Sequence, residues 1–72
     1  MEYELNNSIR VQRAIKNITQ GDLAEALGVT RKSINAIENR KIVPSTLIAL
    51  KMAKFFEIKI EEVFFIEEKQ KS

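Results

Sequence analysis

Residues 19–41 read TQGDLAEALGVTRKSINAIENRK, and the spacing inside this stretch decides the fold. Thr19 followed three residues later by Asp22 is a capping box, in which each side chain satisfies a free amide at the start of a helix. Leu23, Ala24 and Leu27 then form one apolar stripe, so that helix is expected to run to about Leu27. Gly28 supplies the positive φ of a sharp turn, Val29 turns an apolar side chain inward, and Thr30 caps a second helix over residues 31–38. Ile34 and Ile37, three apart, face the core and leave Arg31, Lys32, Asn35, Ala36 and Asn39 facing away. Two short helices joined by a turn of roughly three to four residues containing glycine make a helix-turn-helix. The small Ala24 lets the two helices cross closely, and a helix held this way fits the major groove of a DNA duplex.

Upstream, Asn7 or Ser8 is placed to cap a helix through about Lys16, with Ile9, Ala14 and Ile15 among its apolar positions and Asn17 in the left-handed turn that ends it. Further upstream, Met1, Tyr3 and Leu5 alternate with Glu2 and Glu4, which predicts a short strand over residues 1–5 that Asn6-Asn7 stops. Downstream, Pro44-Ser45 starts a helix over residues 46–56. Ile48, Ala49, Met52, Ala53 and Phe56 line one side of it, and Leu47, Leu50 and Phe55 widen the stripe enough to imply burial on more than one side. Ile60 to Val63 reads as one more helical turn, residues 64–67 as a second short strand, and residues 68–72 as a polar tail. The chain is read as a single domain over residues 1–72, without repeats or linkers.

Charge is segregated along this frame. Residues 8–54 carry Arg10, Arg13, Lys16, Arg31, Lys32, Arg40, Lys41, Lys51 and Lys54 against only Asp22, Glu25 and Glu38, while both ends are acidic and the total is +2. A basic middle suits a polyanionic partner. The chain has no Cys and no His, which removes disulfides, thiol nucleophiles, imidazole bases and the usual zinc sites. Glu61-Glu62 and Glu67-Glu68, the only carboxylate clusters, have no nucleophile or base beside them, so no catalytic residue, metal or cofactor is assigned. No apolar run approaches the roughly 20 residues that span a bilayer, and Met1-Glu2-Tyr3-Glu4 is acidic where a signal peptide would be basic, so the expected location is cytoplasmic.

Arg13, Thr19-Gln20, Leu23-Ala24, Leu27-Gly28-Val29, Arg31, Ile34, Ile37-Glu38-Asn39, Pro44-Ser45, Ala53 and Phe56 together resemble the phage-repressor and Cro-like (Xre) family of helix-turn-helix regulators over roughly residues 8–66. The resemblance implies an all-α fold, a five-helix lambda-repressor-like bundle with short terminal strands, that binds pseudo-palindromic operators as a dimer. It makes Arg31, Lys32, Asn35 and Ala36 the base-contacting residues, of which the first three carry groups that bond base edges. It gives Gln20 a phosphate contact and a bracing role on the recognition helix, and Arg13 and Glu38 a structural ion pair. Thr30, Asn39, Arg40 and Lys41, at or just beyond the helix ends, are expected to bind phosphates. Asn17, Arg40 and Glu57 stand where the family commonly has glycine, so the loops after the third and fourth helices are expected to depart from the usual form. Gln12 stands where leucine is frequent and Lys59 where a capping serine is frequent.

The expected function is therefore sequence-specific binding of double-stranded DNA by a dimeric transcriptional regulator, repressor or activator, with half-sites about 34 Å apart. No small-molecule ligand is expected, because the chain leaves no separate sensing domain. Phe64, Phe65 and Ile66 cannot all face one small core from a strand, and are read as a two-fold dimer interface; pairing of the two terminal strands within one chain is the alternative. Lys51 and Lys54 are assigned to solvent and Phe56 to the core. A competing function is a protein-interaction module, an antitoxin or adaptor, working through the C-terminal surface.

Overall fold

The computed structural model describes residues 2–69. In chain order it contains β1 (Tyr3–Asn7), α1 (Ile9–Lys16), α2 (Gln20–Leu27), α3 (Arg31–Glu38), α4 (Thr46–Phe56), α5 (Ile60–Val63) and β2 (Phe64–Glu68). The five helices and two short strands are those expected from the sequence. Ile9 from α1, Leu23, Ala24 and Leu27 from α2, Ile34 and Ile37 from α3, Ala49, Met52, Ala53 and Phe56 from α4, Val63 from α5 and Phe64 from β2 form one core. Val29 and Ile48 pack against its margin.

The caps follow sequence chemistry. Thr19 Oγ1 accepts from the Asp22 amide and Asp22 accepts from the Thr19 amide, completing the capping box of α2. Thr30 and Ser45 accept from the amides of Ser33 and Ile48 at the starts of α3 and α4. At the start of α1 it is Asn7, not Ser8, whose side chain accepts from the Ile9 amide, while Lys59 before α5 makes no side-chain cap.

Helices α1 to α4 all end in the same closure. A residue just past the end of each takes a left-handed conformation, Asn17 at φ 55°, Gly28 at 72°, Arg40 at 62° and Glu57 at 58°. In each case the amide of the following residue reaches back five positions: Ile18 to the Arg13 carbonyl, Val29 to Ala24, Lys41 to Ala36 and Ile58 to Ala53. The expected departure of the loops after α3 and α4 is thus corrected: Arg40 and Glu57 keep the closure despite their side chains. Carbonyls that would otherwise lack partners are satisfied by it, at a conformational cost of about 1–2 kcal/mol per non-glycine residue.

β1 and β2 pair antiparallel, Tyr3 opposite Glu68, Leu5 opposite Ile66 and Asn7 opposite Phe64. The strand expected over residues 1–5 instead continues through Asn6 and Asn7, because both pair with β2 and Asn6 Nδ2 also bonds Glu67 Oε1 at 2.8 Å. Glu68, expected in the tail, belongs to β2; Met1 and residues 70–72 lie outside the described residues. The strands therefore pair within one chain.

Two expected faces are corrected. In α1 the inward side is Ile9 with the half-buried Gln12 and Arg13, at spacings of three and four, which turns Ala14 and Ile15 to solvent. In α4 the buried side is Ala49, Met52, Ala53 and Phe56, and Leu47 and Leu50 are exposed, since α4 is covered on one side only. No helix among the described residues is long and apolar enough to cross a membrane.

Candidate nucleic-acid interface

Helix α3 is anchored by Ile34 at 0% and Ile37 at 5% exposure, which fixes the direction of its other face. Arg31, Lys32 and Asn35 are exposed on that face, and Ala36 is half-buried beside them. Gln20, at the first turn of α2, joins Arg31, Lys32 and Asn35 in lining one shallow open groove, and Arg31 continues it toward Thr19 and Gly21. Cationic and amide donors thus converge on a surface with no acidic side chain among its lining residues.

Behind this face lies a polar network centred on Glu38, whose side chain is 2% exposed. Arg13 grips it with two bonds, Nε to Oε2 at 2.7 Å and Nη2 to Oε1 at 3.1 Å, and a third donor, Arg13 Nη1, reaches the Ile18 carbonyl. Arg13 and Glu38 thus join α1 to the end of α3. Hydrogen bonding to Glu38 raises the Arg13 pKa above its ordinary value, against the opposing effect of burial. Arg10 approaches the same carboxylate at 4.0 Å. Gln20 Nε2 donates to Glu38 Oε1 at 3.4 Å and to Asn35 Oδ1 at 3.2 Å, a contact that bridges α2 to the exposed face of α3.

The residues expected on phosphates ring the end of α3. Asn39 Nδ2 donates to the Asn35 carbonyl at 2.9 Å and to Asn35 Oδ1 at 3.1 Å. Arg40 Nη1 lies 3.5 Å from Glu4 Oε1 of β1, and Lys41 is exposed. At the other end of α3, the Thr30 hydroxyl is engaged with Ser33, through both its amide and its hydroxyl at 2.9 Å.

The helix-turn-helix family model matches residues 9–63, which takes in α1 to α5. The chain belongs to the Xre/Cro-like helix-turn-helix family. It is 48% identical over 64 residues to an HTH-type transcriptional regulator of Methanocaldococcus jannaschii, covering 89% of this chain and 97% of that one. It is 44% identical over 64 residues to the HTH-type transcriptional regulator YgzD of Bacillus subtilis, with the same coverage. The HTH-type transcriptional activator BcrR of Enterococcus faecalis is 37% identical over 65 residues, which are 90% of this chain but 32% of that longer protein. This Xre-family protein is accordingly a DNA-binding transcriptional regulator by family.

Other contacts beyond this network also went unseen in the sequence. Lys51, assigned to solvent, sends Nζ to the Leu27 carbonyl at 2.7 Å and so closes the end of α2 from α4. Asn7 Nδ2 donates to the carbonyls of Ile37 and Glu38 and ties β1 to the end of α3. Lys16 Nζ sits 5.4 Å above the centre of the Phe55 ring. A lysine or asparagine carries no mark in sequence of which distant carbonyl it will meet. Of the expected interface residues, Phe64 lies in the chain's own core, whereas Phe65 is 36% and Ile66 65% exposed.

Proposed function

We propose that the protein is a dimeric, sequence-specific regulator that lays α3 in the major groove of cytoplasmic DNA. The observation that carries this reading is the exposed row of Arg31, Lys32 and Asn35 on a helix whose opposite side is locked into the core. The major groove is about 12 Å wide and admits one such helix, and its base edges accept hydrogen bonds from these side chains. Arg31, Lys32 and Asn35 read bases, and Ala36 offers an apolar contact. Gln20, Asn39, Arg40 and Lys41 hold phosphates at the two ends of the face and set affinity and its salt dependence, with Thr30 contributing from the cap of α3.

Two copies related by a two-fold axis would read a pseudo-palindrome with half-sites about 34 Å apart. The exposed Phe65 and Ile66 of β2 support this arrangement, with Phe64 beneath them holding the strand to the core. Light scattering at micromolar concentration tests it: a dimer that Phe65→Glu dissociates is expected, and a monomer unaffected by the substitution removes the two-fold model.

DNA binding itself is tested by fluorescence anisotropy on duplex from upstream of the protein's own gene, with excess random duplex as competitor. Tight, competitor-resistant binding that Arg31→Ala/Lys32→Ala abolishes is the expected result. Weak binding that random duplex displaces equally, unchanged by the substitutions, would instead favour an adaptor acting through its C-terminal surface.

A further inference from the structure

Asn35 is the one base-facing side chain on α3 that could either donate or accept, because Arg31 and Lys32 carry donors alone. Which way it acts follows from its neighbours. The Glu38 carboxylate only accepts, so the Gln20 atom facing it at 3.4 Å is the amide nitrogen. That same nitrogen faces Asn35 at 3.2 Å and has no lone pair to offer, which makes the Asn35 atom its oxygen. A second chain of reasoning gives the same orientation. The Asn35 backbone carbonyl only accepts, so the Asn39 atom 2.9 Å from it is nitrogen, and that nitrogen also faces Asn35 Oδ1 at 3.1 Å.

A carbonyl oxygen has two lone pairs, and Gln20 and Asn39 occupy both. Asn35 Nδ2 makes no hydrogen bond among the described residues and stands on the exposed side of α3. Bidentate pairing with adenine needs the amide oxygen to accept from N6 while the nitrogen donates to N7, and here the oxygen is taken. Guanine presents two acceptors, N7 and O6, and asks for no acceptor in return.

We propose that Asn35 reads its base pair as a donor only and selects guanine over adenine, so that α3 presents donors throughout and matches a guanine-rich half-site. This rests on the DNA-reading function proposed above and specifies its ligand. Gln20 and Asn39 are then positioning residues: both side-chain amide hydrogens of each are engaged in these bonds, so they set what Asn35 can recognise, and a phosphate contact by either side chain has to displace one of them.

The test is selection from a random duplex library with the wild-type protein and with Asn35→Ala, an exposed position whose folding is checked by circular dichroism. The position whose preference disappears in Asn35→Ala identifies the base pair read by Asn35. A G·C pair is expected there in the wild type, with adenine in place of guanine weakening binding about tenfold and 7-deazaguanine weakening it several-fold. Asn39→Ala, which frees one lone pair, should narrow the guanine-to-adenine ratio, a readout that loss of a phosphate contact alone does not move. An A·T pair at that position, or no position that responds to Asn35→Ala, overturns the proposal while leaving a sequence reader intact. No enrichment of any sequence by the wild type overturns both the proposal and the DNA-reading function.

Discussion

Arg13 of α1 and Glu38 at the end of α3 form a two-pronged ion pair, with bonds of 2.7 and 3.1 Å around a carboxylate that is 2% exposed. A buried charge is tolerable only while its partner remains. Arg13→Met should therefore destabilise the fold by about 3–5 kcal/mol, whereas Arg13→Met/Glu38→Met should recover much of that loss. Urea denaturation of the three proteins is the check. A single variant as stable as the wild type would mean that water or Arg10 replaces the guanidinium without difficulty.

Glu57 closes α4 at φ 58° with nothing in its side chain suited to that conformation. Because the loop keeps the closure, Glu57→Gly should relieve the left-handed strain without disturbing the amides of Glu57 and Ile58 that bond back to Lys54 and Ala53. A gain of about 1 kcal/mol is expected, less than the full strain because glycine also loosens the unfolded chain. Asn17→Gly should give less, since asparagine tolerates this conformation better. Equal or lower stability of Glu57→Gly in chemical denaturation would contradict the account.

These closures mark the boundary of what the sequence discloses. Caps and glycine turns are local, and Thr19-Asp22, Thr30 and Gly28 could be read because the partner of each lies within a few residues. Arg40 and Glu57 could not, since their left-handed backbone is imposed by the helices and loops on either side. Leu47 and Leu50 misled for a related reason: periodicity shows which residues share a side of α4, but not how many sides one chain covers. The exposed face of α3 was legible because burial of Ile34 and Ile37 fixes by helical geometry what points outward. The Glu38–Gln20–Asn35 network behind it joins residues far apart in sequence, and its pattern exists only once α2 and α3 have crossed.

Asp22 gives the fold a pH dependence whose sign can be stated. The Thr19 amide, and secondarily the Thr19 hydroxyl, hold its carboxyl below the usual carboxylate range. A depressed native pKa means that the contribution is fully present above the unfolded value, near pH 4, and is lost as pH falls through the lower native value. The difference in thermal midpoint between wild type and Asp22→Ala should thus be constant from neutrality to about pH 5 and shrink below about pH 4. A difference that persists unchanged at about pH 2 would show that Asp22 acts through something other than its charge.

Arg40 is held 3.5 Å from Glu4, both half-exposed, by a strand that Asn7 ties to the end of α3. A pair this exposed contributes little to stability, about 0–1 kcal/mol, so its effect should appear in DNA binding rather than in folding. If Arg40 serves a phosphate, Glu4 competes for it at every encounter with a duplex. Glu4→Gln should then raise affinity a few-fold for specific and random duplex alike, leaving the ratio between them unchanged, since phosphate contacts carry no sequence information. Glu61→Gln, which removes the same charge from α5 without touching Arg40, should change affinity much less. Anisotropy titrations of the two variants at about 50 and 200 mM salt separate the possibilities, because a newly engaged phosphate steepens the salt dependence by close to one unit of slope. Matching behaviour of the two variants would reduce the effect to net charge and remove Arg40 from the phosphate contacts.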